Sequence, residues 1–176
     1  YLDEAHDWKL DRAMLEEGIQ QARAKGVKVK AICVINPGNP TGSVLDAENV
    51  AMVVDFARAN GLSILADEVY QENVYLPKDR FTSFAKVVEQ KQAKDVSLFS
   101  FHSCSKGYLG ECGHRGGYLE LRNVPQDVAD EITVSAALPS QDVGPIDIPT
   151  IPIPPNHVTT DDANFPLPGT WELTVT

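Results

Sequence analysis

One lysine of this sequence lies in a setting that suits covalent chemistry. Lys106 follows three small residues with hydroxyl or thiol groups, Ser103-Cys104-Ser105, at the end of an apolar segment. A lysine that forms a Schiff base must be neutral part of the time, and burial or a nearby cation favours the neutral amine. Arg115 is near enough in sequence to supply that charge. A solvated surface lysine is the simpler interpretation on chemistry alone.

A carboxylate and a phenol follow an earlier apolar segment. Asp67 comes directly after residues 62–66, Leu-Ser-Ile-Leu-Ala, and Tyr70 stands three positions later. A buried carboxylate can keep the nitrogen of a pyridine-type ring protonated, which makes that ring an electron sink. The Tyr70 hydroxyl could donate to an oxygen of the same ring. The alternatives are a turn cap for Asp67 and a half-buried aromatic for Tyr70.

Further polar groups could bind the remaining parts of such a ligand. Asn39 lies in the loop Asn-Pro-Gly-Asn-Pro-Thr-Gly, residues 36–42, where its amide could donate to a ring oxygen or simply serve the turn. Ser103, Ser105 and Arg115 could bind a phosphate, since the guanidinium group presents a planar fork of N–H donors. Together these residues form a candidate site for a phosphorylated heteroaromatic cofactor.

The surrounding elements would bring these residues together. Hydrophobic patterning predicts strands over residues 29–35, 62–66, 96–101 and 118–121, and helices over residues 10–25, 46–60, 84–91 and 125–137. Alternating strands and helices predict an α/β fold with a mostly parallel sheet flanked by helices. Ligands of such sheets bind at the carboxyl edge of the strands, where Asn39, Asp67 and Ser103–Lys106 follow three of them.

Composition narrows the range of functions. A net charge of −10 argues against nucleic acid or an anionic membrane surface as a partner, and no apolar run is long enough to span a bilayer. The three cysteines have no metal-ligand spacing, so we expect no metal and interpret them as reduced thiols of an intracellular protein.

The end of the chain differs in character from the rest. Residues 123–176 contain eight acidic residues and no lysine or arginine, and seven of the twelve prolines fall within residues 145–168. This change predicts a cofactor-binding domain over residues 1–138 and an irregular or disordered acidic, proline-rich tail over residues 139–176. Because the chain begins with tyrosine, we also expect it to be a fragment or a processed product.

Three segments resemble one family of enzymes. They are residues 35–42 (INPGNPTG), residues 65–75 (LADEVYQENVY) and residues 100–118 (SFHSCSKGYLGECGHRGGY). The first two are similar to many aminotransferases, whereas the third resembles more specifically the alanine aminotransferase branch of the class I and II aminotransferases. These enzymes have the fold-type I architecture and depend on pyridoxal 5'-phosphate (PLP). The resemblance extends over about residues 1–135, and it implies that residues 1–138 form part of the family's PLP-binding large domain, with the small domain absent.

The resemblance implies a role for each candidate residue. Lys106 would form the internal aldimine with PLP and move the proton at the substrate α-carbon, and Asp67 would pair with the pyridinium nitrogen. The other cofactor contacts divide into the ring-oxygen donors Tyr70 and Asn39 and the phosphate ligands Ser103, Arg115 and, more weakly, Ser105.

The family's reaction follows from the same resemblance. It transfers the amino group of L-alanine to 2-oxoglutarate, yielding pyruvate and L-glutamate, in a homodimer of the cytoplasm or the mitochondrion. Glyoxylate is an alternative acceptor, as in the related glutamate:glyoxylate aminotransferases. The family's substrate-clamping arginine has no counterpart in these residues, so we expect the isolated chain to have little or no activity.

Three other interpretations compete with this one. A lyase or decarboxylase of the same fold would keep the cofactor site and change the reaction. A non-catalytic product that folds poorly, or acts only by pairing with a full-length subunit, would explain the abrupt tail. A nucleotide-binding α/β domain is disfavoured because neither a G-x-G-x-x-G nor a G-x-x-x-x-G-K-[ST] motif occurs.

Overall fold

A computed structural model describes residues 4–75, 81–114, 116–130, 132, 134–138, 143–148, 150–153, 157–160 and 172–175. The helices are α1 (Arg12–Ala24), α2 (Ala47–Asn60), α3 (Phe84–Gln90) and α4 (Gln126–Asp130). The strands are β1 (Ala31–Ile35), β2 (Ser63–Asp67), β3 (Leu98–Ser103), β4 (Gly117–Arg122), β5 (Val134–Leu138), β6 (Val143–Ile148), β7 (Thr150–Ile153), β8 (His157–Thr160) and β9 (Glu172–Val175).

The first four strands form the sheet that the sequence predicts. β1, β2 and β3 are parallel neighbours, and β4 joins β3 in the antiparallel direction. Two of these three pairings are therefore parallel, and helices flank the sheet, which confirms the predicted α/β class. β8 and β7 extend this sheet beyond β4, while β6, β5 and β9 make a separate three-stranded sheet.

The core lies between this sheet and the helices α2 and α3. Val50, Val53 and Val54 follow the spacing of one helical face and are completely buried. They belong to the same apolar cluster as Phe84, at the start of α3, and Ile64 of β2. α2 contacts β2 and α3, and α3 contacts β3. This packing fixes the ends of β2 and β3, where the candidate site lies.

Local signals set the bounds of the main helices. The side chains of Asp11, Asp46 and Ser83 each accept a hydrogen bond from the backbone N–H three residues later, at the starts of α1, α2 and α3. α2 ends at Gly61, whose φ of 63° lies in the left-handed region that glycine adopts without strain. Helices were predicted at these places.

The helix predicted over residues 125–137 is wrong in its second half. α4 ends at Asp130, and β5 begins at Val134 and pairs with both β6 and β9. Ala136 and Ala137 favour helix locally, but the β-branched Ile132 and Val134 favour strand, and pairing on both sides of β5 decides the outcome.

The described parts of the tail also differ from the irregular chain that was predicted. They contain the strands β6 to β9. Proline is tolerated there because Pro145 and Pro152 lie on edge strands, which pair with a neighbouring strand on one side only. The extended geometry expected of this segment suits strands as well. The domain boundary at residue 138 stays a prediction.

Candidate functional site

The candidate site lies at the carboxyl edge of β1, β2 and β3. Asp67, the last residue of β2, is in register with Ile35 at the end of β1 and with Phe101 of β3. The Asn36 N–H donates to the Asp67 carbonyl oxygen at 2.9 Å, and the Glu68 N–H donates to the Phe101 carbonyl oxygen at 3.3 Å. The three segments that follow these strands therefore start side by side.

The loop that carries Lys106 rests against the turn that carries Tyr70. Gly107 has a φ of 63°, and a Cβ atom placed on it would lie 3.3 Å from the Val69 carbonyl oxygen. A Cβ there would also lie 4.0 Å from the Glu72 Cβ atom. Glycine at position 107 thus permits both the left-handed backbone and the close approach. Lys106 and the turn after Asp67 are neighbours in space, although about forty positions separate them in sequence.

Lys106 itself is exposed. Its carbonyl oxygen accepts a hydrogen bond from the Gly110 N–H at 3.3 Å, and its amine has neither a hydrogen bond nor an ion pair within the described residues. Burial or a nearby cation would favour the neutral amine. Burial is not found, and Arg115 lies outside the described residues. The amine is placed to meet a ligand from solvent.

Asp67 caps the turn that follows β2 and also keeps one carboxylate oxygen available for a ligand. Its side chain is half-buried, and Oδ1 accepts a hydrogen bond from the Val69 N–H at 3.2 Å, which is a turn-capping contact. Oδ2 has no hydrogen bond to any residue that the structure describes. One oxygen therefore fixes the carboxylate, and the other remains available to a ligand.

Tyr70 is held at the tip of the same turn. The Gln71 N–H donates to the Glu68 carbonyl oxygen at 3.0 Å, and the Asn73 N–H donates to the Tyr70 carbonyl oxygen at 2.8 Å. The Tyr70 side chain is half-buried, and its hydroxyl has no partner among the described residues. These backbone bonds order the turn and leave the phenol available as a donor.

The two serines before Lys106 are linked to each other. Ser103 Oγ accepts a hydrogen bond from the Ser105 N–H at 3.1 Å, and both side chains are half-buried. Ser103 is also in register with Gly117 of β4, where a Cβ atom would lie only 2.5 Å from the His102 carbonyl oxygen. Glycine is therefore required at position 117 for the chain to pass this close to the end of β3.

Asn39 is joined to the other candidates only through its loop. It is exposed, and it lines a cleft of about 300 Å³ beside the edge strand β1 together with Thr41 and Ser43. The Gly38 N–H donates to the Ser43 carbonyl oxygen at 2.8 Å, which closes the loop on itself.

Sequence reasoning missed Asn36, the residue that anchors this loop. Asn36 is fully buried, and its Oδ1 accepts a hydrogen bond from the Leu45 N–H at 2.9 Å. Its Nδ2 has no partner within the described residues. The available signal was the repeated Asn-Pro pair, of which the first, Asn36-Pro37, comes directly after β1.

The burial of Glu68 was also not predicted, because in the sequence Glu68 looks like an ordinary polar residue of the turn. Only 5% of it is exposed, and Oε1 accepts a hydrogen bond from the Phe84 N–H at 2.8 Å. Burial raises the pKa of the Glu68 carboxyl to about 7, and the charges of Glu120 and Asp67 add to the rise. The bond from Phe84 and the nearby Ser100 hydroxyl oppose it. A buried carboxyl group whose pKa is near neutral pH therefore belongs to the residue next to Asp67 in sequence.

No helix within the described ranges combines the length and apolar character needed to cross a bilayer.

Several known proteins are similar to this chain in sequence. Relatives include alanine aminotransferase 2, mitochondrial, from Arabidopsis thaliana, which is 51% identical over 140 residues that make up 78% of this chain and 26% of the relative. Alanine aminotransferase 1 from Bos taurus is 48% identical over 75% of this chain and 27% of its own length. Glutamate–glyoxylate aminotransferase 1 from A. thaliana is 45% identical over 78% and 29%. The chain thus spans little more than a quarter of the length of these relatives.

Solved structures agree with the sequences. An aminotransferase from Escherichia coli is similar with a TM-score of 0.56 and 31% identity, over 72% of this chain and 28% of that one. A tyrosine aminotransferase from Leishmania infantum gives a TM-score of 0.55 and 30% identity, over 74% and 31%. Residues 1–138 match the sequence profile described as aminotransferase class I and II. The chain therefore belongs to the class I and II aminotransferase family.

Proposed function

We propose that this chain supplies one side of the active site of a PLP-dependent aminotransferase that transfers the amino group of L-alanine to 2-oxoglutarate. The products are pyruvate and L-glutamate. The contact that best supports the proposal is the approach of Gly107 to the Val69 carbonyl oxygen, because it brings the amine-bearing loop beside the turn after Asp67. The family depends in general on PLP, which when bound supplies an electron sink for reactions at the substrate α-carbon.

The donor set at the sheet edge fits that cofactor. A half-buried carboxylate, a half-buried phenol and an exposed amine lie along neighbouring segments, and two half-buried hydroxyls precede the amine. These groups match a pyridinium nitrogen, a ring oxygen, an aldehyde carbon and a phosphate, respectively.

In this proposal Lys106 and Asp67 handle the protons of the reaction. The Lys106 amine would hold the cofactor and would serve as the base that takes a proton from the substrate α-carbon and returns it. The Asp67 Oδ2 atom would face the ring nitrogen and favour its protonated form, while Oδ1 accepts the hydrogen bond from the Val69 N–H. The capping bond thus orients the carboxylate without consuming both of its oxygens.

The remaining candidates position the ring. Tyr70 and Asn39 would donate to its hydroxyl oxygen, and Ser103, Ser105 and Arg115 would hold the phosphate. The hydrogen bond from the Ser105 N–H to Ser103 Oγ sets the path of the chain directly before Lys106. Binding of the phosphate at this point would fix the distance from the ring to the lysine.

Glyoxylate as the amino-group acceptor is the second candidate. It is favoured by the similarity to the glutamate–glyoxylate aminotransferases, at 45% and 44% identity over 141 residues. Alanine with 2-oxoglutarate remains the first choice, because the A. thaliana alanine aminotransferases are 51% identical over 140 residues. The complete enzyme is proposed to act as a homodimer.

The test assays the full-length product that contains these residues beside the 176-residue chain. Alanine is supplied with 2-oxoglutarate or with glyoxylate, and pyruvate, ammonia and CO2 are measured. The proposal expects acceptor-dependent pyruvate from the full-length product and little or none from the isolated chain, since PLP and substrate would be held from one side only. Release of ammonia or CO2 without an acceptor would refute it. Faster turnover with glyoxylate would favour the second candidate.

A further inference from the structure

Two cysteines lie in the loop that carries Lys106, here called the Lys106 loop and defined as residues 104–116. Cys104 is half-buried and Cys112 is exposed, and neither is part of a disulfide. Each thiol donates to a backbone carbonyl oxygen of the loop: Cys104 to Gly116 at 3.0 Å, and Cys112 to Ser105 at 3.0 Å. Both sulfur atoms therefore point back into the loop.

Backbone hydrogen bonds hold the two cysteines side by side. The Cys104 N–H donates to the Gly116 carbonyl oxygen at 3.1 Å, and the Glu111 N–H donates to the Cys104 carbonyl oxygen at 2.8 Å. Cys104 Sγ lies 3.7 Å from the Glu111 carbonyl oxygen, which belongs to the peptide bond that leads into Cys112. Standard backbone dimensions then place the Cys112 Cα atom within roughly 7 Å of Cys104 Sγ. A disulfide would require a rotation of the Cys112 side chain and a shift of the loop that brings the two Cα atoms to about 4.4–6.8 Å.

We propose that Cys104 and Cys112 form a reversible disulfide across the Lys106 loop when a peroxide or a disulfide oxidant is present. With a peroxide, one thiolate attacks oxygen and a first water leaves. The second thiol then attacks the resulting sulfenic acid sulfur, and a second water leaves. Two thiols are thereby oxidised by two electrons, and the peroxide is reduced to two waters. With a disulfide oxidant, exchange releases two thiols instead.

The new bond would change the backbone next to Lys106. Its formation removes both thiol donors, so the carbonyl oxygens of Ser105 and Gly116 lose these hydrogen bonds. Ser105 directly precedes Lys106, and Gly107 follows it against the Val69 carbonyl oxygen. Closing the bond therefore alters the presentation of the Lys106 amine. Its consequence for activity rests on the proposed function, whereas its formation does not.

Cys33 serves as a matched control. It lies on β1, outside the Lys106 loop, and partial burial together with the Asp67 charge raises the pKa of its thiol. A raised pKa leaves less thiolate, which is the reactive form. Cys33→Ser should therefore leave oxidation of the loop unchanged.

The experiment treats the reduced chain with hydrogen peroxide or with oxidised glutathione and maps peptides under non-reducing conditions. The proposal expects a mass loss of about 2 Da and a Cys104–Cys112 cross-linked peptide that thiols reverse. Cys104→Ser and Cys112→Ser should each abolish the cross-link. Stable glutathionylation or overoxidation of a single cysteine, or a bond to Cys33, would overturn it.

A second readout follows the Lys106 amine without any cofactor. Its acylation rate, measured against that of the exposed Lys86, should differ by about threefold or more between the reduced and the oxidised chain, because the local structure of the loop has changed. The ratio should stay constant in Cys112→Ser. An unchanged ratio in the wild-type chain would refute the effect on Lys106. Failure of PLP to attach to Lys106 would count against the proposed function and leave the disulfide result standing.

Discussion

Glu68 gives the sharpest prediction about stability. Its carboxyl group is buried, and Oε1 accepts a hydrogen bond from the Phe84 N–H at the start of α3. Glu68→Gln keeps an acceptor for this N–H and removes the titration. The new amide nitrogen could donate to Ser100 Oγ, which is buried without a hydrogen bond of good geometry among the described residues.

The magnitude follows from the raised pKa of Glu68. That pKa is about 7 in the folded chain, against 4.5 for an unperturbed glutamate. Each unit of pKa difference between the folded and unfolded states corresponds to about 1.4 kcal/mol. Ionising Glu68 therefore destabilises the folded state by about 3 kcal/mol. Below about pH 4.5 the group is protonated in both states and costs nothing. The penalty grows as the pH rises from about 4.5 to about 7 and is constant above that.

The assay is urea unfolding at pH 5 and pH 8. Glu68→Gln should raise the free energy of unfolding relative to wild type by about 1–3 kcal/mol at pH 8, and the two proteins should agree within about 1 kcal/mol at pH 5. Glu72→Gln, an exposed residue of the same turn, is the control and should change neither value by more than about 0.5 kcal/mol. Equal effects of Glu68→Gln at both pH values would refute the reasoning.

Three further predictions concern the core, the loop and the site. Phe84→Ala should lower the free energy of unfolding by about 3–5 kcal/mol in urea titrations, because a fully buried ring leaves a cavity in the main cluster; a loss under about 1 kcal/mol would contradict this packing. Gly117→Ala should lower the free energy of unfolding by about 1–3 kcal/mol in the same titration, because its Cβ atom would lie 2.5 Å from the His102 carbonyl oxygen. Gly113→Ala is the control and should be nearly neutral, because a Cβ atom there would have nothing within 4 Å. Similar values for the two variants would exclude the close approach. Asp67→Asn should weaken PLP binding about tenfold or more, measured by cofactor fluorescence, because a neutral amide cannot hold the ring nitrogen protonated; unchanged affinity would remove Asp67 from the site.

The sequence was most informative where local signals and packing agree. α2 has a capping aspartate, one apolar face and a terminal glycine, and its predicted and observed bounds differ by a single residue. The three parallel strands were predicted from apolar runs, and their carboxyl ends do share one edge. Residues 134–137 were included in the helix predicted over residues 125–137, whereas pairing with β6 and β9 is a long-range effect that a local pattern does not contain.

Only some residues of the candidate site could be predicted from residue types and their positions after apolar strands. Asp67, Ser103 and Lys106 stand out because polar residues follow apolar strands. Glu68 and Asn36 did not stand out, since their burial depends on α3 packing and on the return of the loop to Leu45. The exposure of Lys106 likewise follows from how the Lys106 loop folds, and not from its neighbours in sequence.

Covalent trapping of PLP tests whether Lys106 is the residue that bonds the cofactor. The purified chain is incubated with PLP, reduced with borohydride and mapped by mass spectrometry, with Lys86→Ala as the control for surface lysines and Lys106→Ala as the site variant. The account predicts a borohydride-stable pyridoxyl group on Lys106, retained in Lys86→Ala and lost in Lys106→Ala. Label spread evenly over the exposed lysines, or unchanged labelling of Lys106→Ala, would contradict it.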